Sequence, residues 1–263
     1  MSKCFNKPIV LNAYTSDINA YQCATLKSAL EYTPTWIKEL PGLIPSGKDL
    51  FAPRTIKGCY GMLEYIKKGV ILPSWSDIKI KVYSHDALRN GANMECEWFF
   101  AYEEARATHH DRSQYAGYLN NNEYQHVKLI APWRITCEED IQFVWVQPEW
   151  RIVEFTDIHV ITGVVDYKHQ NSAHVNMFLR RWDQEDKVYT IPFGMPLAHI
   201  IPLSDRRVEV KHHLIDHREY TEVLQKQNAA LSWVKSKMSI LKKSSPSKCP
   251  MSSLLHPIKS KGA

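Results

Sequence analysis

The chain has little of what usually announces a function. Its 263 residues include only 10 glycines, and none of them forms the Gly-rich loop that cradles phosphates or the sharp elbow that presents a nucleophilic serine. The six cysteines, Cys4, Cys23, Cys59, Cys96, Cys137 and Cys249, stand far apart with no Cys-x-x-Cys among them. That spacing excludes a zinc ribbon and a thioredoxin-like redox pair, and it reads as small core residues made in a reducing compartment. No apolar run approaches the roughly 20 residues of a membrane span. The first residues lack the basic and apolar stretch of a signal peptide, so a soluble protein not secreted by that route is expected.

Acid is missing from one place only. Residues 242–263 hold five lysines (Lys242, Lys243, Lys248, Lys259 and Lys261) and no Asp or Glu, and setting these five aside from the 33 Lys and Arg leaves 28 against 28 acids. The net charge of +5 therefore belongs to the tail and the body is formally neutral. A nucleic-acid binder carries its basic stripe on the folded domain, so only the tail could meet phosphates.

What is present is aromatic and β-forming: 8 Trp and 13 Tyr in a chain whose length suits one large all-β unit. The most informative stretch is 127–136. Val127, Leu129 and Ala131 alternate with Lys128 and Ile130, and after Pro132 the alternation resumes with Trp133, Ile135 and Cys137. A period of two buries one face of a strand, and a proline that cannot donate to a ladder marks a corner where the chain passes between sheets. The reading is the seam of a β-sandwich.

Further strands are expected over 8–14, 70–73, 77–83, 95–102, 141–146, 157–166, 197–203 and 207–214, with 173–180 and 187–192 as an antiparallel pair. Short helices are expected over 33–40, between two prolines, and over 59–68, stopped by Gly69. The polar stretch 103–124 reads as a surface excursion. From 216 to 241 the period changes: Tyr220, Leu224, Gln227, Leu231, Val234, Met238 and Leu241 form a heptad-like stripe on one long helix, suited to covering a sheet or to self-association. The expected organisation is a mainly β, jelly-roll-like sandwich domain over 1–215 with short N-terminal helices, a C-terminal helix over 216–241 and a disordered basic tail over 242–263.

In order and spacing, several of these segments resemble an uncharacterised family of tailed bacteriophages, especially those of marine bacteria. The resemblance is carried by Pro34-Thr35-Trp36 with Leu40-Pro41, Thr55 to Cys59, Gly69 to Pro73, His126 with Lys128-Leu129, Pro132 to Thr136, Gly163 to Asp166, Asn176, Ile191 to Leu197 and Ile200-Ile201-Pro202. It implies a phage context, in the virion or the host cytoplasm, and a β-sandwich, and it transfers no catalytic residue. In such proteins a proline- and glycine-rich turn follows the Trp-x-Ile-Thr segment, whereas here Cys137-Glu138-Glu139-Asp140 follows.

Four sets of residues could carry chemistry. His109 and Asp111, with His199 on a late strand, have the His-x-Asp and distant His of a jelly-roll iron enzyme using 2-oxoglutarate, with Arg206, Arg207 or Lys211 to hold the co-substrate. His212, His213 and His217 place imidazoles near one helical turn apart without the acid of a metalloprotease, so a polar helix start explains them as well. Asp166 closes an apolar strand as either a turn cap or a site residue, paired with Asn176. Trp145, Trp150 and Trp182 fall at strand ends where exposed rings could stack on sugars or bases. Taken together, the sequence reads as a non-enzymatic phage protein acting through protein–protein contacts or self-association, without membrane or cofactor. The iron enzyme is the alternative, and a sugar- or nucleic-acid-binding module stands third.

Overall fold

The computed structural model describes residues 7–44, 53–91, 96–100, 106–115, 123–151, 156–223 and 225. Over these residues the protein is mainly β, with four sheets and only short helices. β1 (Ile9–Thr15) is the middle of a three-stranded sheet, parallel to β15 (Val208–Leu214) and antiparallel to β8 (Arg134–Thr136). A four-stranded antiparallel sheet runs β10 (Ile158–Val160), β12 (Val175–Arg180), β7 (Tyr124–Ile130), β6 (Arg106–His109). A five-stranded sheet runs β11 (Gly163–Asp166), β9 (Gln142–Val146), β14 (Pro196–Pro202), β3 (Val70–Pro73), β2 (Lys27–Ser28). The last sheet is β13 (Lys187–Ile191), β4 (Ile78–Val82), β5 (Cys96–Phe100).

The alternation around Pro132 sets the core. Val127, Leu129, Ala131, Trp133, Ile135 and Cys137 are all buried, although β7 and β8 belong to different sheets and the chain changes sheet at the proline. Keeping one parity through the corner lets both sheets turn the same side inward. One apolar cluster then draws on all four sheets, with Leu11, Leu72, Ile80, Leu129, Ile135, Phe143, Val175 and Ile191 among its members. Within it the Trp133 indole N–H donates to the Ala24 carbonyl at 3.0 Å, so the largest side chain at the corner is buried without an unpaired donor.

The helices start and stop for local reasons. α1 (Ile18–Cys23) is capped by Asp17, whose carboxylate accepts from the backbone N–H of Asn19 at 2.8 Å and of Ala20 at 3.1 Å. α2 (Thr35–Glu39) follows Pro34, and α3 (Tyr60–Lys67) is followed by Gly69 at φ +76°. At Gly69 the constraint is double: a Cβ there would lie 2.1 Å from the carbonyl oxygen of Ile200 on β14. Only glycine lets the end of α3 pass so close to that strand before β3 begins. α4 (His85–Arg89) starts on the Ser84 hydroxyl.

Three expectations are corrected by the pairing. The segments 173–180 and 187–192 are not partners: β12 lies between β7 and β10, while β13 pairs with β4. The run 157–166 is two strands, since β10 pairs with β12 and β11 pairs with β9 in another sheet. The stretch 103–124 contains β6, which extends the sheet of β7. The expected helix over 216–241 is described only at its start, where residues 217–223 are helical. There the Tyr220 hydroxyl donates to the Pro132 carbonyl at 3.3 Å, which seats the helix start on the corner between sheets. The rest of that helix and the tail over 242–263 lie outside the described residues.

Candidate functional site

The crossing from β10 to β11 opens a cavity of about 220 Å³. Ile161 still donates its N–H to the Asn176 carbonyl, and two residues later Gly163 is opposite Trp145 in the other sheet. The base of the cavity comes from Lys128 on β7 and Asn176 on β12, which are direct cross-strand partners and so share a face. Trp145 makes one wall, and Gln170, Ser172 and His174 on the turn before β12 make another.

That turn is fastened along its length. The Asp166 carbonyl accepts from the N–H of His169 and Gln170, and its carboxylate accepts from the Lys168 N–H at 3.0 Å. Asp166 thus caps the turn and does not line the cavity. Cys137 and Ile135 donate their N–H groups to the carbonyls of Tyr167 and Asn171. The Tyr167 hydroxyl accepts from the Trp145 indole N–H at 2.7 Å, fixing the wall ring, and complete burial raises the tyrosine's pKa.

The charge around the cavity is of one sign. Lys128 lines it, and Arg134, bridged along the backbone to Ser172, is 7% exposed. The Arg134 guanidinium donates to the carbonyls of Ala131 and Trp133, packs on the Tyr220 ring, and forms no ion pair with any acid among the described residues. Burial, followed by the charges of Arg134 and Lys128, pushes His174 down to about 3, so its imidazole is neutral at pH 7. Its Nδ1 is buried without a hydrogen-bond partner. Farther along the same sheet face, His126 stacks on His110 at 4.3 Å, and burial, with the His110 charge second, holds it near 4.

The residues proposed for an iron site are not brought together. His109 ends β6 with its ring exposed near Trp98, and the Asp111 carboxylate accepts from the Ser113 N–H in the following turn. His199 is fully buried on β14 between Tyr65 and Trp150, and its Nε2 donates to the Lys68 carbonyl at 2.5 Å. Among the described residues no group of three or more His, Cys, Asp or Glu could hold a metal ion. Arg206 is engaged elsewhere, in a bidentate pair with Glu139 at 2.5 and 2.9 Å, while its Nε donates to the Lys7 carbonyl. The acidic stretch 138–140 therefore anchors the entry to β1. His212 and His213 extend along β15, with His213 stacked on Tyr14 at 4.7 Å, and only His217 is helical.

The three tryptophans do not form the stacking face that the binding-module alternative requires. Trp145 and Trp150 are each 5% exposed, and Trp182 is half-buried beneath the Arg180 guanidinium at 4.7 Å and the Lys187 ammonium at 5.5 Å.

A different surface is conspicuous. Of the 14 large hydrophobic side chains exposed among the described residues, six fall within residues 30–60: Leu30, Trp36, Leu43, Ile44, Ile56 and Tyr60. Hydrogen bonds hold this region together, with Thr55 bonded to the Pro41 and Gly42 carbonyls, Ile44 to Pro53, and the Lys57 ammonium to the Lys38 carbonyl. Beneath it Ala29, Ile37, Ile66, Ile71 and Trp150 form a second small core. The described part of this segment therefore carries apolar side chains both toward that small core and toward solvent. Trp36 and Ile56 stand in the resembling segments, but their exposure is not legible in sequence because elements this short carry no alternation.

No helix of the described residues is long and apolar enough to cross a membrane. No family model matches the chain, and comparison with curated proteins finds no match.

Proposed function

We propose that this protein works by binding another protein through the apolar face of residues 30–60, as an accessory or particle component in the phage setting that the sequence resemblance implies. The observation that carries this reading is the clustering of six exposed large apolar side chains on one internally hydrogen-bonded segment backed by its own small core. Apolar surface interspersed with polar groups marks a contact site on proteins of this size, and Lys38 and Glu39 are exposed in the same stretch of chain.

The fold that presents this face is read as a sandwich of the jelly-roll kind, a view supported by one core cluster drawing on every sheet.

The test replaces Trp36→Ser and Tyr60→Ser together in the full chain. Sedimentation velocity is run on the protein alone over a concentration series, and again with extract of the cells or particles that contain it. Association weakened by the double substitution, either with itself or with one added protein, supports the reading. Absence of association, or association that the substitutions leave unchanged, overturns it.

A further inference from the structure

The cavity at the β10–β11 crossing is independent of the apolar face and has its own chemistry. Its lining offers one ammonium, on Lys128, and neutral polar side chains on Gln170, Ser172, His174 and Asn176, with no carboxylate among the lining residues. Asp166, the nearest acid along the chain, spends its carboxylate on the Lys168 N–H and faces His169 at 3.9 Å.

Behind this lining sits the buried Arg134 guanidinium, whose partners are carbonyl oxygens and an aromatic face and whose Nε has no hydrogen bond. A buried cation normally has an ionic partner because desolvating it alone is costly. Here carbonyl dipoles offset part of that cost, while the positive potential stays uncompensated and reaches the neighbouring His174. His174 Nδ1 adds a buried hydrogen-bonding group with no partner, which native structures seldom leave unmatched. A cavity of about 220 Å³ has the volume of roughly seven waters, enough for a carboxylate or phosphate group with a short carbon frame against Trp145.

We propose that this cavity binds the oxyanion of a small metabolite, with the Lys128 ammonium as ionic partner and His174, Asn176 and Gln170 as neutral hydrogen-bonding groups. Arg134 is a positioning residue that raises the local potential without touching the ligand. An anion seated there partners the Lys128 charge and brings an oxygen within reach of the turn before β12. Carboxylate and phosphate share this recognition, and the size of the frame beside the Trp145 ring separates them.

The experiment titrates the full chain with sodium phosphate and, separately, with sodium succinate, against sodium chloride at matched ionic strength, reading intrinsic tryptophan fluorescence and the thermal midpoint. Lys128→Gln removes the charge, Asn176→Asp places a carboxylate in the base, and Lys79→Gln alters an exposed lysine on β4 as a control. A saturable response to either anion is expected, weakened about tenfold or more by Lys128→Gln, as loss of a charge-assisted hydrogen bond implies. Asn176→Asp should abolish it and Lys79→Gln should leave it intact. If the unsubstituted chain gives no response to either anion up to about 50 mM, beyond which binding is weaker than any specific site warrants, the proposal fails. It fails equally if Lys128→Gln and Lys79→Gln bind alike. Neither failure bears on the apolar face, which is tested by association.

Discussion

Lys128 on β7 and Asn176 on β12 stand directly opposite each other in the ladder that forms the floor of the cavity. The pair explains a sign change that a single substitution should produce. Asn176→Asp creates an opposite-charge cross-strand pair, a kind of contact that contributes about 0.2–1 kcal/mol. The variant is expected to unfold at an equal or slightly higher temperature than the parent while losing its anion response. Thermal denaturation and the phosphate titration on one sample check both halves, and a clear drop in midpoint would show that Asn176 is needed for the fold instead.

Gly69 should tolerate no side chain. Its φ of +76° and the 2.1 Å approach of a Cβ to the Ile200 carbonyl require the end of α3 and β14 to separate if alanine is introduced. Gly69→Ala is expected to cost more than the roughly 1 kcal/mol of an ordinary left-handed position, on the order of 2–4 kcal/mol. Urea denaturation gives the value, and a midpoint equal to the parent's would contradict the packing described.

At the corner between sheets, Trp133→Phe keeps most of the buried area and removes the donor to the Ala24 carbonyl, whereas Trp133→Ala also leaves a cavity. The expected losses are about 1–2 kcal/mol for phenylalanine and about 3–5 kcal/mol for alanine. Equal losses would mean that the hydrogen bond, not the packing, secures α1 to the corner.

Stability should fall as the pH drops through the histidine range. Burial holds the folded pKa of His199 near 4, against 6.5 for the free side chain, with the Lys68 carbonyl opposing the shift. Above pH 6.5 both folded and unfolded states carry a neutral ring, and stability is at its full value. Between 6.5 and 4 only the unfolded chain takes up the proton, so stability declines by about 1.4 kcal/mol per pH unit for His199. His126 and His174, depressed by burial to about 4 and about 3, act in the same direction and steepen the decline, His126 less because it is more exposed to solvent. Denaturation midpoints between pH 4 and 8 check this, and a flat profile from 6.5 to 4 would contradict the burial of His199.

The parts of the fold legible in sequence are those governed by local pattern. The parity of Val127 to Cys137 through Pro132, and the glycine stop after α3, depend on alternation and on one conformational requirement, both visible in a single chain. Strand partners are not local. Nothing in 157–166 interrupts the alternation before Gly163, so the split between β10 and β11 is invisible until β12 and β9 claim the two halves. Likewise β12 and β13 are neighbours in sequence, but β13 finds its partner in β4, more than a hundred residues earlier.

The cavity was half legible for the same reason. Trp145 and Asn176 stood out individually, one as a strand-end aromatic and the other in a resembling segment, but what joins them is the crossing between sheets. Lys128 reads as the solvent side of an alternating strand, and His174 belongs to no spacing that a metal or nucleophile would need. The pairing of Lys128 with Asn176, which makes the floor, appears only once the strand register is known.

The most direct test of the contact reading is photo-crosslinking in the cells or particles that contain the protein, with a photoreactive residue in place of Tyr60, and in place of Lys79 as a control on another sheet. The account predicts one discrete adduct from position 60, absent from position 79 and diminished when Trp36→Ser is added. No adduct at position 60, or the same products from both positions, would contradict the assignment of residues 30–60 as the binding face.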